Sequence, residues 1–460
     1  MPETAKHRGL SAARSTDALA GGSFPLPREA GAAAAADRSR AHNAESSGRA
    51  GGKGGGEKGH AAQGFALATV PLVLVLGNSM LIPVLPQMER ALGISQFQSS
   101  LAITLFSVTA ALFIPALGFL SDRFSRKAVI IPSLIVYGAA GVLAGFGAIW
   151  KSWWVVLAAR AIQGLGAAGT APIGMALAGD LYNGAAESRA LGLMEASNGT
   201  GKVLSPILGS LLALIVWYAV FFAFPAFCLL ALAAIALLIR EPPRRAKPPD
   251  ARTYLRKVGD ILRREGRWMV TAFFAGAVAL STLFGVLFYL SEILERKPYG
   301  VEGALKGLVL SIPLMGMVIT SYVTGALIKK NGRLIRRLMN VGLAASTASF
   351  ALVLVFHPNI YVLIGLITCG SIGTGLLLPC LNTMITGAVP RTERGMITSL
   401  YSSLRFAGVA CGPPLFGWLM GLDRANDHAV FIAAASLSLA ALLLVFFLIR
   451  PERNLSRQGG

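Results

Sequence analysis

The sequence GFLSDRFSRK, residues 118–127, is a short polar stretch between two long apolar ones, 96–120 and 127–149. A helix needs about 20 predominantly apolar residues to cross a hydrocarbon core of ~30 Å, and both flanking stretches reach that length. A helix also pairs every backbone polar group within the segment, which lipid requires. The pattern therefore predicts two membrane-spanning helices joined by a tight, basic loop.

The same alternation of apolar segments and polar loops extends over most of the chain, with twelve apolar segments between residues 64 and 449. Of the 460 residues, 54% are hydrophobic and 14% are charged, whereas a soluble domain has about 25% charged residues. So few charges could not cover a water-facing surface. We expect an all-α, polytopic membrane protein with twelve transmembrane helices.

Basic residues distinguish the two sides of the predicted bundle. One set of loops is rich in Lys and Arg, including the loop at 118–127, the loop at Arg333 and the long loop 241–267. The loops of the other set carry only Arg90, Lys151, Arg296, Lys297, Lys306 and Arg424. Because basic loops stay in the cytoplasm, the pattern predicts a multi-pass protein of the cell membrane with both termini cytoplasmic.

An internal repeat divides the twelve segments into two sets of six. The halves match at a constant offset of 207 residues, in the pairs Gly118 and Gly325, Arg126 and Arg333, Pro172 and Pro379, and Gly201 and Gly408. Repeats of this kind are found in secondary transporters. The offset predicts two pseudo-symmetric six-helix bundles.

Composition sets the predicted boundaries. Residues 1–60 are rich in Ala, Gly, Ser and charge, without the apolar core of a signal peptide, and we expect a disordered cytoplasmic tail. The bundles occupy 61–240 and 268–450. The linker 241–267 contains an amphipathic helix with basic residues opposite its apolar face, and 451–460 form a second cytoplasmic tail.

The loop GFLSDRFSRKAV resembles the signature of the major facilitator superfamily between its second and third helices. The matching positions are Gly118, Leu120, Asp122, Arg123, Arg126 and Lys127. Ser125 stands where the family usually has glycine. The resemblance implies the major facilitator fold and a charge network, formed by the aspartate, that latches the inner gate. Gly325 and Arg333 are the corresponding positions of the second half.

Two further stretches resemble signatures of the same superfamily. In the fourth helix, RAIQGLGAAGTAP matches through Arg160, Gln163 and Gly164. The resemblance implies proton transfer for Arg160; an arginine that reaches the outer interface is the alternative. In the fifth helix, GTGKVLSPILGS resembles the antiporter signature of the twelve-helix drug:H+ antiporters at Gly201, Pro206 and Gly209, while Ser205 and Ser210 stand in place of glycines. This resemblance implies export in exchange for protons.

Ionisable residues within the predicted spans are functional candidates, because charges are costly in lipid. Glu195, Asn198 and Lys202 lie on one face of the fifth helix, and Arg405 occupies the repeat position of Asn198. We predict that Glu195 is the protonation site; a structural salt bridge between the halves is the alternative. Further proton-coupling candidates are Arg160, Lys202 and Arg405. Their positive excess favours anions or neutral amphiphiles.

The substrate cavity is expected near the midplane between the halves. Its candidate residues are Asn78, Gln163, Phe284, Phe288, Tyr289 and Asn382. The leading hypothesis is proton-coupled efflux of a small amphiphilic or drug-like molecule by alternating access. The alternatives are a proton symporter that imports a metabolite, an exporter of an anionic metabolite such as a siderophore and, last, a non-transporting receptor.

The predicted partners are a small-molecule substrate, protons and the lipid bilayer. No catalytic constellation or metal-ligand spacing occurs, so we expect no enzyme activity, cofactor or metal. The four cysteines all lie in apolar segments. No zinc-finger, RNA-binding or helix-turn-helix pattern accompanies the net charge of +20, so no nucleic-acid partner is expected. The family's usual state is a monomer.

Overall fold

The computed structural model describes residues 53–182, 185–241, 251–328, 331–356, 359–387, 391–422 and 428–449. Most of the predicted N-terminal tail, the predicted C-terminal tail and Arg424 lie outside these ranges. Within them every regular element is a helix.

The helices of the first half are α1 (Lys53–Ser79), a short 3-10 turn (Ile82–Val84), α2 (Leu85–Leu92), α3 (Gln96–Arg123), α4 (Arg126–Ile149), α5 (Trp153–Ala168), α6 (Ala171–Leu181), α7 (Ala185–Ala213) and α8 (Ala219–Leu238). A linker helix, α9 (Ala251–Glu265), follows. The second half comprises α10 (Arg267–Glu295), α11 (Gly303–Ile328), α12 (Gly332–Phe356), α13 (Ile360–Gly387), α14 (Arg391–Leu422) and α15 (His428–Leu448).

Ten stretches of these helices are long and apolar enough to cross a membrane. They are Ala62–Leu92, Gln96–Arg123, Arg126–Ile149, Trp153–Leu181, Ala219–Leu238, Arg267–Glu295, Gly303–Ile328, Gly332–Phe356, Ile360–Gly387 and His428–Leu448. The fifth and eleventh spans, α7 and α14, are more polar but have 29 and 32 residues. At ~1.5 Å per residue they are about 44 and 48 Å long, enough to cross. The predicted twelve-helix, all-α fold is confirmed.

Two spans of the first half are interrupted where proline removes a backbone donor. The first span passes through the 3-10 turn at Pro83 before α2 begins. The fourth breaks at Thr170, just before Pro172 in the first turn of α6. The Thr170 hydroxyl donates to the carbonyl of Ala167 at 2.6 Å. Both interruptions are therefore local adjustments within a continuous span.

The halves meet along two pairs of helices. Helix α3 packs against α14, where Thr104 donates to the carbonyl of Ala410 at 2.8 Å. Helix α7 packs against α11 so closely that a Cβ on Gly307 would lie 2.4 Å from the carbonyl oxygen of Pro206. Small residues allow this approach between membrane helices. These pairs surround the space in which a transport site is expected.

The linker helix α9 packs on the protein. Ile261 is buried, and Val258 and Leu262 pack against the core. The chain then turns into α10 at Gly266, whose φ of +67° is a conformation that favours glycine.

The two ends of the bundle differ in chemistry. We call the end that carries the loops of Arg126 and Arg333 the motif end. The opposite end, where α2 and α10 finish, carries Glu89, Glu292 and Glu295, and we call it the carboxylate end.

Candidate transport site

A central cavity of about 790 Å³, including the part open to solvent, lies between the halves. Its walls come from α1, α6, α7, α10 and α14. The lining residues are Pro71, Leu74, Val75, Asn78, Ser79, Ala171, Pro172, Met175, Asn198, Lys202, Leu280, Phe284, Ser402, Arg405, Phe406 and Val409. Most are apolar, and the charged ones are both cations, Lys202 and Arg405.

The two cations come from opposite halves. Lys202 projects from α7 and lies within electrostatic range of both Arg405 and Glu195. Arg405 projects from α14, with its guanidinium carbon 5.5 Å from the ring centroid of Tyr401. Within the described chain, the Nε of Arg405 has no hydrogen-bond partner. An unused donor at a cavity wall is available to a guest molecule.

Glu195 lies about two turns from Lys202 on α7 and is exposed. It is not among the residues that line the cavity, although its field reaches Lys202 and Tyr401. Among the ion pairs of the described residues, none joins the Nζ of Lys202 to the carboxylate of Glu195 within 4.0 Å.

Arg160 is fully buried inside the first half. Its guanidinium donates to the carbonyl of Ala102 at 2.9 Å, to the carbonyl of Gly77 at 3.2 Å and to Asn78 Oδ1 at 3.1 Å. It also donates to Gln163 and lies 4.4 Å from the ring centroid of Phe106. Arg160 thus ties α5 to α1 and α3 and touches the cavity through Asn78.

The six residues predicted for the cavity have separate places. Asn78 and Phe284 line it. Gln163 holds Arg160, Phe288 is completely buried, and Tyr289 packs edge-on against Phe431 at 5.1 Å between ring centroids. Asn382 is half-buried on α13 and outside the lining. Helical periodicity could not distinguish the cavity-lining residues of α10 from its core residues, because α10 is buried along consecutive turns.

The predicted motif forms a charge network at the motif end. Arg126 pairs with Asp122 at 2.6 Å and with Asp180, at the end of α6, at 3.0 Å. Lys127 donates to the carbonyls of Ala236 and Ile239, near the end of α8, at 2.8 and 2.9 Å. Arg123 is exposed. The loop therefore joins α3, α4, α6 and α8 within the first half.

Glu241, which the sequence did not single out, caps α4. Its carboxylate accepts from the backbone N–H groups of Arg126 and Lys127 at 2.8 and 3.0 Å and from the Ser125 hydroxyl at 2.6 Å. A carboxylate at a helix N-terminus is stabilising. Ser125 itself caps the helix by accepting from the N–H of Ala128 at 3.0 Å, in extended backbone. Serine fits here because no left-handed turn is needed.

The repeat copy of this loop is built differently. A Cβ on Gly118 would meet the Ser399 hydroxyl of α14 at 3.0 Å, whereas a Cβ on Gly325 would meet nothing within 4 Å. Arg333 is exposed, and its backbone N–H donates to Asn331 Oδ1 at 3.1 Å.

The antiporter-like stretch of α7 packs against the first span. A Cβ on Gly209 would lie 2.2 Å from the carbonyl oxygen of Met80, and one on Gly201 would lie 3.2 Å from Leu72 Cδ1. Ser205 is buried and donates to the carbonyl of Gly201. Small residues thus let α7 contact α1 on one face and α11, beside Pro206, on another.

The carboxylate end holds a polar cluster that sequence reasoning treated as helix ends and loop charges. Glu295 accepts from Arg90 and from Lys306, each at 2.7 Å. Glu292 accepts from Gln96 at 2.8 Å, and Glu89 accepts from Ser99. The sequence did show two neighbouring carboxylates, Glu292 and Glu295, in the stretch SEILE. It could not show their partners, which lie in α2, α3 and α11.

Known proteins with related sequences agree with this architecture. The sequence profile of the Major Facilitator Superfamily matches residues 67–345 and 294–460. A bacillibactin exporter of Bacillus subtilis (strain 168) is 42% identical over 394 residues, covering 85% of this chain and 97% of that protein. Multidrug resistance protein 1 of the same organism is 25% identical over 386 residues, covering 82% and 94%.

Among solved structures, a bacterial homologue of the human lysosomal transporter Spinster, inward-facing and unoccupied, superimposes with a TM-score of 0.66. The two share 19% identity, over 86% of this chain and 96% of that one, which shows a common fold. Fold, profile match and the 42% relative agree: the chain is a multi-pass membrane transporter that belongs to the major facilitator superfamily.

Proposed function

We propose that this transporter exports a small anionic amphiphile, such as a siderophore, through the central cavity. The observation that carries the proposal is the charge of the lining, where Lys202 and Arg405 are its charged residues. At ~4 Å and an effective dielectric constant of about 20, each cation attracts an anion by roughly 4 kcal/mol before desolvation. A cationic guest would be repelled by the same amount.

The remaining walls suit the apolar part of such a guest. Leu74 of the first half and Phe284, Phe406 and Val409 of the second face the cavity, and ligand sites commonly combine apolar walls with a few polar anchors. Arg405 offers an unpartnered donor, and guanidinium groups bind carboxylate and related oxygens with paired donors.

Export is the proposed direction for two reasons. The close packing of α7 against α1 follows the pattern that the family's exporters have, at Gly201 and Gly209. The 42% relative is named a bacillibactin exporter. With the motif end in the cytoplasm, as the basic loops predict, an anion leaving a cell that is negative inside gains about 2.3 kcal/mol per charge for each 100 mV.

Proton antiport is the second candidate, favoured by the exposed Glu195 beside Lys202. The two candidates predict opposite signs of proton coupling. A substrate anion and an ionised Glu195 both neutralise the cations of the cavity wall. When the anion binds, those cations stabilise the negative charge of Glu195 less, so binding favours proton uptake by Glu195. An antiporter must instead release a proton from Glu195 when its substrate binds on the cytoplasmic side.

The test adds substrate to purified protein in weakly buffered detergent and follows a pH indicator, alongside transport into proteoliposomes. The substrates are bacillibactin and a matched set of anionic, neutral and cationic amphiphiles. We expect anion transport, proton uptake that is lost in Glu195→Gln, and a loss of anion transport of about tenfold or more in Lys202→Gln or Arg405→Gln, since 1.4 kcal/mol is a factor of ten.

Ser402→Ala is the matched control, because Ser402 lines the same wall as Arg405 without charge. It should keep near-normal anion transport. Proton release that disappears in Glu195→Gln would establish antiport instead. Preference for the cationic probe, with Lys202→Gln as active as the parent, would sink the anion proposal.

A further inference from the structure

The carboxylate end joins the two halves through several hydrogen bonds. Arg90 of α2 pairs with Glu295 of α10 at 2.7 Å. Gln96 of α3 donates to Glu292 of α10 at 2.8 Å. In the opposite direction, two donors of the second half reach carbonyls of the 3-10 turn: Ser291 to Ile82 at 2.9 Å and Lys306 to Pro83 at 2.8 Å. These contacts must break if this end is to open.

The charges of this cluster are unevenly paired. Glu295 accepts from Arg90 on one carboxylate oxygen and from Lys306 on the other. Glu292 is left with the neutral amide of Gln96 on Oε2. Its side chain is only 5% exposed, and no donor in the described part of the chain reaches its Oε1. A buried carboxylate oxygen without a donor is costly.

A second carboxyl group lies close to Glu292. Glu89 of α2 and Glu292 of α10 are in hydrogen-bonding contact with each other. Two ionised carboxylates repel and have no proton to share, whereas a protonated carboxyl supplies one O–H donor. One proton between the pair would satisfy Glu292 and replace the repulsion between the halves with a hydrogen bond.

We propose that the carboxylate end binds a proton between Glu89 and Glu292, and that this proton latches the two halves together there. Glu89 also lines a solvent-open vestibule with Gln96, Arg296 and Trp418, which gives the proton a route from the adjoining solution. Opening this end moves α2 away from α10, exposes both carboxyls to water and releases the proton.

The other charged groups that face the pair set the strength of the latch without replacing it. Lys306, Arg296 and Glu295 all lie within electrostatic range of Glu292. Arg90 is mostly exposed and already engaged by Glu295. One bound proton makes the ratio of closed to open protein change up to about tenfold per pH unit, because one pH unit corresponds to ~1.36 kcal/mol.

The test measures the opening of this end directly, without any substrate, so its outcome is independent of the proposed function. Spin labels at Gln98→Cys on α3 and Tyr361→Cys on α13, both exposed, report the distance between the halves in a background without the four native cysteines. Electron–electron distance measurements run from about pH 5 to about pH 9, which brackets the titration of perturbed carboxyls.

We expect the parent protein to shift from short to long distances as pH rises. Glu292→Gln supplies a permanent amide donor to Glu89, so it should stay at short distances throughout; Glu89→Gln, at a less buried position, should do the same. Glu295→Gln is the matched control, since it removes the ion pairs with Arg90 and Lys306 but keeps the carboxyl pair: it should open more overall and still respond to pH. Distances that do not depend on pH in the parent, or an unchanged pH response in both Glu292→Gln and Glu89→Gln, would overturn the proposal.

Discussion

Arg160 in α5 and Ile367 in α13 occupy the same position of the repeat, 207 residues apart, and both are buried. Arg160 is a cation held by Ala102, Gly77 and Asn78, whereas Ile367 is an aliphatic side chain at 1% exposure. The halves therefore share a backbone plan and differ in the chemistry placed on it.

The shared plan is clearest where helices cross at glycine. Gly201 on α7 lies against Leu72 of α1, and its counterpart Gly408 on α14 lies against Ala277 of α10. The same pair of helices in each half thus meets at the same repeat position. Both halves have these crossings, whereas the polar network around Arg160 is held by residues without equivalents in the second half. Variants at matched positions of the two halves can therefore separate the contribution of the shared helix crossings from that of the polar network.

The largest effect is expected at the buried arginine. Arg160→Met removes the donor of Asn78 Oδ1 and of the buried Gln163, and an orphaned buried acceptor costs about 1–3 kcal/mol. We expect a loss of about 2–4 kcal/mol in stability, and reduced transport because Asn78 loses its orientation at the cavity wall. Thermal unfolding in detergent can be followed with a thiol-reactive dye in a background without the exposed Cys369 and Cys411, since Cys228 and Cys380 are buried and react only on unfolding.

Ile367→Met is the control at the repeat position. A volume-conserving apolar exchange usually costs less than about 1.5 kcal/mol, and transport should stay near normal. Equal unfolding temperatures for the two variants would contradict this prediction, because they would show that the hydrogen bonds of Arg160 add nothing to stability beyond side-chain packing.

A smaller effect is expected at the helix crossings. A Cβ on Gly408 would lie 2.1 Å from the carbonyl oxygen of Ala277 and 2.7 Å from its carbonyl carbon, so α14 and α10 must separate. Overpacking of this kind costs about 1–3 kcal/mol. In Gly201→Ala the nearest atom is Leu72 Cδ1 at 3.2 Å, the end of a flexible side chain. We expect Gly408→Ala to lower the unfolding temperature clearly more than Gly201→Ala does; the reverse order would contradict the asymmetry of the crossings.

The sequence was sufficient for the features that depend on local pattern. Apolar length predicted the spans, the 207-residue offset predicted the halves, and the motif at 118–127 predicted a charge network, which forms around Arg126. Even α7 and α14, whose charges lower their hydropathy, were among the twelve predicted segments.

Features that depend on distant partners were not predictable. Asp180 and Glu241 join Arg126 across 54 and 115 residues of chain, and nothing in their own neighbourhood marks them. Glu292 resembled a helix-end carboxylate, but α2, α3 and α11 cover it. Phe288 and Tyr289 could not be assigned to wall or core, because α10 is buried on nearly every side. In each case tertiary packing, rather than local pattern, decides the environment.

The smallest effect is expected where the motif loop and its repeat copy differ in contact. In Gly118→Ala the new methyl meets the Ser399 hydroxyl at 3.0 Å, and a rotating hydroxyl limits the cost to about 1 kcal/mol or less. That energy acts between the halves at the motif end, so the population with this end closed should fall by up to about fivefold. Gly325→Ala meets no atom within 4 Å and should be neutral or stabilising by up to about 1 kcal/mol, because alanine favours a helix over glycine.

The double variant Gly118→Ala with Ser399→Gly sharpens this last comparison. Removing the Ser399 side chain makes room for the new methyl, so the pair should recover much of the closed population that Gly118→Ala loses, while Ser399→Gly should rescue nothing in a Gly325→Ala background. The distance between spin labels at the exposed Phe124 and Arg333 positions, one in each half, reports the closure of the motif end. A double variant no better than Gly118→Ala would mean that Gly118 serves the local fold of the loop and not the contact between halves.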